Sequence, residues 1–410
     1  MLLPLPGRPH LTYCTNIHPG ETWEEVKGNI ERHVLAVKDQ VSPDRPFGIG
    51  LRLSAEAAHS LSKPDALEDF CHFLRAHGLY VFTLNGFPYG AFHDQRIKDR
   101  VYLPDWRDGR RLAYADELAE VLATLLSAAP DHMELEGSIS TVPGGFRSHT
   151  LRESEIDRMA DLMLRHLVTL FQIRERTGRI ISLALEPEPC CVFETAAETI
   201  EFFESRLFSR TAVSRFASMT GLSMTESGGA LRRHIGVCFD ACHLAVEYEE
   251  PVGAVRGFEA AGIRISKIQL SAGLQVSFAE DPRQRIAALE QFNEGTYLHQ
   301  VVERRNGQLI RYEDLPQALH ALRTRESRLE QPDAWRIHFH VPLFRERLGL
   351  FTNTQEFLEP LLGLVRSRPV SDHLEVETYT WSVLPDEYRG EDIVTSVVRE
   401  MQWVVERLSG

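Results

Sequence analysis

Four side chains in this sequence combine acid, base and ligand chemistry at a recurring position. Glu186 closes the run Ile181-Ser-Leu-Ala-Leu-Glu-Pro-Glu-Pro189, and Asp240 lies in Gly236-Val-Cys-Phe-Asp-Ala-Cys-His243. His340 lies in Arg336-Ile-His-Phe-His-Val-Pro342, and Glu377 in His373-Leu-Glu-Val-Glu-Thr-Tyr-Thr-Trp381. Each run alternates aliphatic with polar residues, the period of a strand with one apolar face. Carboxylates gathered at strand ends repel one another, and a divalent cation relieves that repulsion directly. A mixed Glu, Asp and His set suits Mn, Mg, Co, Fe or Zn without choosing among them. The competing reading is structural: buried ion pairs with Arg52 and Lys267.

The same alternation sorts further residues onto an inward face. With Ile268 and Leu270 outward, Lys267, Gln269 and Ser271 point inward; with Ile337, Phe339 and Val341 outward, His338 and His340 do. Glu375, Cys238, Arg52 and Asn85 follow the same logic. Lys267, Gln269 and His338 are therefore candidate substrate-binding residues. Asn85, with Phe87 and Tyr89, can floor a pocket or form a surface turn. His243 can bond a substrate hydroxyl or cap the next helix. Glu188, between two prolines, reads as a loop charge rather than a partner of the site. His18 and His93 read as ordinary loop histidines.

Strand-like and helix-like stretches alternate nearly throughout, the pattern of βα units and a parallel sheet. Strands are expected over 11–16, 47–54, 79–85, 132–139, 181–186, 236–240, 265–271, 336–341 and 373–377, with helices between them. About eight repeats favour a (β/α)8 TIM barrel, whose sites lie at the C-terminal strand ends. The turn after the first strand, Asn16-Ile-His-Pro-Gly-Glu, lacks the Gly-rich phosphate loop of a doubly wound sheet. The count is nine strands, one more than a barrel needs. Asn306-Gly307 marks a hairpin, and the segment 275–334 is expected to be an insertion into a single barrel spanning 1–410.

The bulk properties narrow the partners. The chain has 410 residues, of which 43% are hydrophobic and 25% charged, ordinary for a globular protein. A net charge of −14 without a Lys/Arg-rich run disfavours nucleic acid. No apolar run approaches the roughly 20 residues of a membrane span, and the N-terminus lacks the basic region of a signal peptide. A cytoplasmic protein is expected, and the six cysteines fit as reduced, buried side chains.

These stretches resemble the xylose-isomerase-like TIM-barrel superfamily of sugar isomerases, epimerases and endonuclease IV. Asp240-Ala-Cys-His243 is similar to the D-x-x-H of the ketose 3-epimerases. The whole chain resembles the EboE family of metabolite traffic proteins. That likeness is carried by Tyr13-Cys-Thr-Asn-Ile-His-Pro-Gly20, Asn85-Gly-Phe-Pro-Tyr-Gly90, Gly137-Ser-Ile-Ser-Thr-Val-Pro143, Tyr297-Leu-His-Gln300, His338-Phe-His-Val-Pro342 and Glu375-Val-Glu-Thr-Tyr-Thr-Trp381. The superfamily resemblance implies a divalent metal held by Glu186, Asp240, His340 and Glu377. The EboE resemblance implies a setting beside a cyclase and a prenyltransferase, and a polyol, sugar or cyclitol substrate. One position departs from the epimerases: Gln269 stands where they place a metal-binding His.

Two functions are in contention. In the first, a metal-dependent isomerase or epimerase uses Glu186 and Glu377 as catalytic base and acid. In the second, the barrel binds and carries a metabolite without catalysis, which Gln269 favours. Endonuclease-like hydrolysis needs a richer His set and a basic face, and is set aside.

Overall fold

The computed structural model describes residues 1–91, 93, 97–130, 133–149, 152–279, 282–325, 331–389 and 392–409. Fourteen strands are present among them. In chain order they are β1 His10–Tyr13, β2 Phe47–Arg52, β3 Leu79–Asn85, β4 Gly137–Thr141, β5 Ile181–Leu185, β6 Ile235–Asp240, β7 Arg264–Leu270, β8 Leu274–Ser277, β9 Val301–Arg305, β10 Gln308–Tyr312, β11 Ala334–Ile337, β12 Arg347–Leu348, β13 Phe351–Asn353 and β14 His373–Val376.

Eight of them form one parallel sheet in the order β1-β14-β7-β6-β5-β4-β3-β2. A parallel bridge between Cys14 and Gly50 joins its two edges. Helices separate consecutive strands, so the architecture is a (β/α)8 barrel. Gly50 at the seam has a packing reason: a Cβ there would collide with the Glu375 carboxylate. The long outer helix Glu153–Thr177 begins with Glu155 bonding back to the Arg152 N–H and ends at Gly178, whose φ is +73°. The last helix, Ile393–Ser409, buries Val397, Met401, Val404 and Leu408, a stripe at three- and four-residue spacing.

Two expectations need correction. The ninth strand is the one at 336–341. Its ordered part, β11, belongs to a second, antiparallel sheet of order β10-β9-β11-β8-β13-β12. The insertion therefore runs from β8 to β13, over 274–353, wider than the hairpin expected at 275–334. The Asn306-Gly307 turn does join β9 to β10, with Gly307 at φ +77°. Second, the strand expected at 132–139 lies at Gly137–Thr141; its first expected residue, His132, falls outside the described residues. The Met133/Leu135 alternation suggested the earlier register. The paired segment is instead Gly-Ser-Ile-Ser-Thr, wholly buried, with Ser138 Oγ bonded to Thr83 Oγ1 at 2.8 Å.

Candidate active site and metal centre

Each acidic residue is fixed by the strand end that carries it. Glu186 directly follows β5, its N–H donating to Thr141 O at 3.2 Å. Asp240 ends β6 and caps the helix Ala241–Val246: its Oδ1 accepts from the His243 N–H at 2.9 Å and from Ser271 Oγ at 2.8 Å. Asp at this position is a favourable cap, and the helix start turns His243 toward the same space. Glu377 directly follows β14, its N–H donating to Leu270 O at 3.1 Å. Its Oε1 accepts from Asn16 Nδ2 at 2.8 Å and Asn85 Nδ2 at 3.2 Å.

Glu186, Asp240 and Glu377 each place one carboxylate oxygen within 4.8 Å of the others, and all three are buried. Glu186 Oε2 and Asp240 Oδ2 have no hydrogen-bond partner among the described residues. Burial, and then the Glu377 and Asp240 charges, push the Glu186 carboxyl well above the usual range. Burial, and then Asp240 and Glu375, do the same to Glu377. The Lys267 charge offsets this only in part. Arg52 is engaged by Glu21 and by the Gly20 and Gly90 carbonyls. Lys267 pairs with Glu375, fully buried within the barrel. Burial opposes the Lys267 charge, but Glu375 outweighs it and raises the ammonium above its ordinary value. The structural reading of the acidic residues as ion-pair partners of Arg52 and Lys267 is therefore not what the packing shows.

A histidine group adjoins the carboxylates. His340 lies in the irregular chain after β11, not in a barrel strand, because Val341 N–H bonds to Ala272 O beyond β7. His340 Nδ1 donates to the Glu377 carbonyl at 2.8 Å. His340 falls with Asp240 and His243 in a second set whose ligand atoms lie within 4.8 Å of one another. His338 follows β11 by one residue and faces His243, with ring centroids 4.4 Å apart.

A pocket adjoins these groups. Glu186, Glu377, Asn85, His243 and His338 line it together with Phe87, Val101, Tyr297 and Tyr379. Gln269 and Lys267 are not among its lining residues. Gln269 lies deeper, its Oε1 accepting from Cys238 Sγ at 3.1 Å. Glu188 departs from its reading as a loop charge. It is 3% exposed, lines the cavity, and accepts at Oε1 from Tyr102 and from Gln300 Nε2 at 3.1 Å. Burial, partly offset by these two bonds, lifts it to about 7. His18 and His93 are likewise buried; His18 Nε2 lies 3.0 Å from Tyr13 OH.

Two contributors, Asn16 and Tyr102, escaped the residue-level reading. Asn16 sat in what read as a turn. Tyr102 ends the short 3-10 helix Lys98–Tyr102, whereas Gln300, part of the Tyr297-Leu-His-Gln300 motif, reaches Glu188 from the insertion.

No family model matches the chain, and no curated protein matches it. Among solved structures it is similar to an IolI protein with a bound zinc atom, at 12% identity over 98% of both chains with a TM-score of 0.45. It is similar to AsbF of Bacillus anthracis, a probable 3-DHS dehydratase involved in petrobactin synthesis, at 11% identity over 97% of this chain and 98% of that one, TM-score 0.45. A D-tagatose 3-epimerase-like protein gives 12% identity over 98% and 97%, TM-score 0.45.

Proposed function

We propose that this barrel is a divalent-metal-dependent isomerase or epimerase acting on a polyol, sugar or cyclitol. The observation that carries the reading is the trio Glu186, Asp240 and Glu377. It comprises three buried carboxylates with converging oxygens, two of them with an unsatisfied oxygen, and Glu186 and Glu377 line a pocket. Such a group is unstable as three bare charges and fits a cation with oxygen ligands. Glu186, Asp240 and Glu377 would hold it, with His340 as the adjoining imidazole. When bound, the cation supplies Lewis acidity toward substrate hydroxyl and carbonyl oxygens.

The chain's own residues do the rest. Glu186 and Glu377 reach the cavity from strand ends three positions apart around the sheet. One carboxylate takes the proton from the carbon beside a carbonyl, and the electron pair of that C–H bond moves onto the carbonyl oxygen. The other returns a proton to the opposite face, inverting the carbon. Asn16 and Asn85 hold Glu377 Oε1, leaving its second oxygen to work. The apolar wall excludes water from the exchange.

A second reading is a non-catalytic metabolite-binding or traffic protein on the same scaffold. Gln269 favours it, since the residue lies off the cavity where the resembling epimerases hold a ligand. The EboE resemblance supports a role in a secondary-metabolite precursor pathway, beside a cyclase and a prenyltransferase.

The test is elemental analysis of the protein, Glu186→Gln and Glu377→Gln, each purified without chelator. One metal equivalent fewer in each variant is expected, and solvent deuterium should enter a bound polyol at carbon. Metal lost in the variants without any deuterium entry favours the traffic reading. Unchanged metal content in both variants overturns the carboxylate centre.

A further inference from the structure

We infer that the substrate carries an uncharged apolar substituent, an alkyl or aryl group rather than a phosphate, on the end that lies away from the carboxylates. The inference rests on the polyol reading above and narrows it to one class of polyol. Two groups of side chains share the lining of the pocket. Glu186 and Glu377 belong to the converging carboxylates. Ile97 and Tyr297 form a small apolar cluster separate from the main core, and Val101 and Tyr379 pack against it. All four of these residues line the pocket. The Tyr297 and Tyr379 rings meet edge to face, their centroids 5.2 Å apart. Apolar surface of this kind gains when an apolar group displaces water from it. A hydroxyl placed against it gives up hydrogen bonds to water instead.

This wall is a seam between two segments far apart in sequence. Ile97 and Val101 belong to the loop after β3, and Tyr297 to the insertion. The Ile97 and Lys98 N–H groups both donate to Thr296 O, at 3.2 and 3.3 Å. Lys98 Nζ donates to Tyr297 O at 2.7 Å and to Glu294 O at 3.3 Å, and pairs with Asp314 Oδ2 at 2.9 Å. An ammonium has three hydrogens, and these three acceptors take them all. The wall is therefore in place before a substrate arrives, which spares binding the cost of ordering it. The same contacts withdraw the cation that a phosphate would need. Lys98 is the only Lys or Arg among the described residues that line the pocket. Glu186, Glu188 and Glu377 bring three carboxyl groups to the same lining. A phosphate monoester would add about two negative charges beside them, whereas a neutral apolar group meets no such opposition.

The test is calorimetric titration of the full chain, loaded with Mn(II), with three D-fructose derivatives that share one carbonyl end: the 6-O-methyl ether, the 6-O-benzyl ether and the 6-phosphate. Burial of the added ring should make the benzyl ether bind roughly 10- to 100-fold tighter than the methyl ether, and the phosphate should bind more weakly than either. Val101→Asn and Tyr297→Ser should each bring the benzyl-to-methyl affinity ratio toward one. p-Cresol, which carries the ring without the polyol, is followed separately by saturation-transfer NMR. Equal affinity for the two ethers, or tightest binding of the phosphate, overturns the inference and leaves the polyol reading standing. Binding of p-cresol that Val101→Asn abolishes, with no binding of any ketose, upholds the apolar subsite and overturns the polyol reading. Absence of binding by all four compounds overturns both.

Discussion

At the residue scale, the decisive features are small and their partners distant in sequence. Asn16 donates to Glu377 Oε1 across 361 positions. Together with Asn85 it directs a carboxylate that otherwise would swing toward either neighbour. Removing such an orienting partner typically weakens metal binding about 10- to 100-fold. Asn16→Ala is therefore expected to raise the dissociation constant of the carboxylate site by that factor, measured by metal titration against a chelator of known affinity. Asn16→Asp removes the same donor but adds a negative charge beside the site, so its affinity should fall less than that of Asn16→Ala. Equal affinity in all three proteins would show that Glu377 needs no support. Glu186, Asp240 and Glu377 were legible in the sequence because each closes an apolar alternating run. Asn16 was not, since a lone amide in a turn carries no pattern of its own.

At the scale of elements, the C-terminal helix Ile393–Ser409 locks the two loops beneath the site. Its Glu400 Oε1 accepts from the Leu343 N–H at 3.0 Å and from Thr378 Oγ1 at 2.7 Å. Leu343 lies three residues after His340, and Thr378 one after Glu377. Burial, partly offset by these two bonds, raises the Glu400 carboxyl to about 7. Its folded value is thus above its unfolded one. The stability it contributes is fully present below about pH 4.3 and is lost as pH rises through about 7. Over that window the loss is on the order of 3 kcal/mol. Glu400→Gln keeps an acceptor for both donors and removes the ionisation. Denaturant unfolding at pH 5 and pH 8 should show a marked fall for wild type and a flatter response for the variant; parallel slopes would exclude Glu400 as the source. The barrel strands were readable at this scale, because parallel strands and intervening helices each carry their own period. The β11 segment was misassigned for a physical reason. Its alternation, Ile337, Phe339 and Val341 against His338 and His340, is that of any half-buried extended chain. Nothing local says whether β7 or β8 is its neighbour.

At the scale of the whole molecule, the site is a joint between two sheets. The barrel supplies Glu186, Asp240, His243 and Glu377; the inserted segment supplies His338, His340 and Gln300. The insertion is also tied down outside the site, where Arg311 on β10 grips Glu247 at 2.9 Å and Glu194 at 3.1 Å. No local pattern in the sequence announces such a joint, since each half reads as complete by itself. The joint makes metal binding and tertiary order one equilibrium. A cation that binds only the assembled site stabilises the fold by about 2.7 kcal/mol at one hundred times its dissociation constant. Zn(II) at that excess should therefore raise the unfolding midpoint of wild type by several degrees, as followed by calorimetry. Glu186→Gln and His340→Ala should each reduce the rise, because each removes one donor of the proposed metal centre. The double variant should lose it altogether. Arg311→Ala, which touches neither donor, should lower the midpoint but leave the metal-induced increment intact. If the increment vanished with Arg311→Ala, the outer ion pairs and not the ligands would be what sets the two sheets in register for binding.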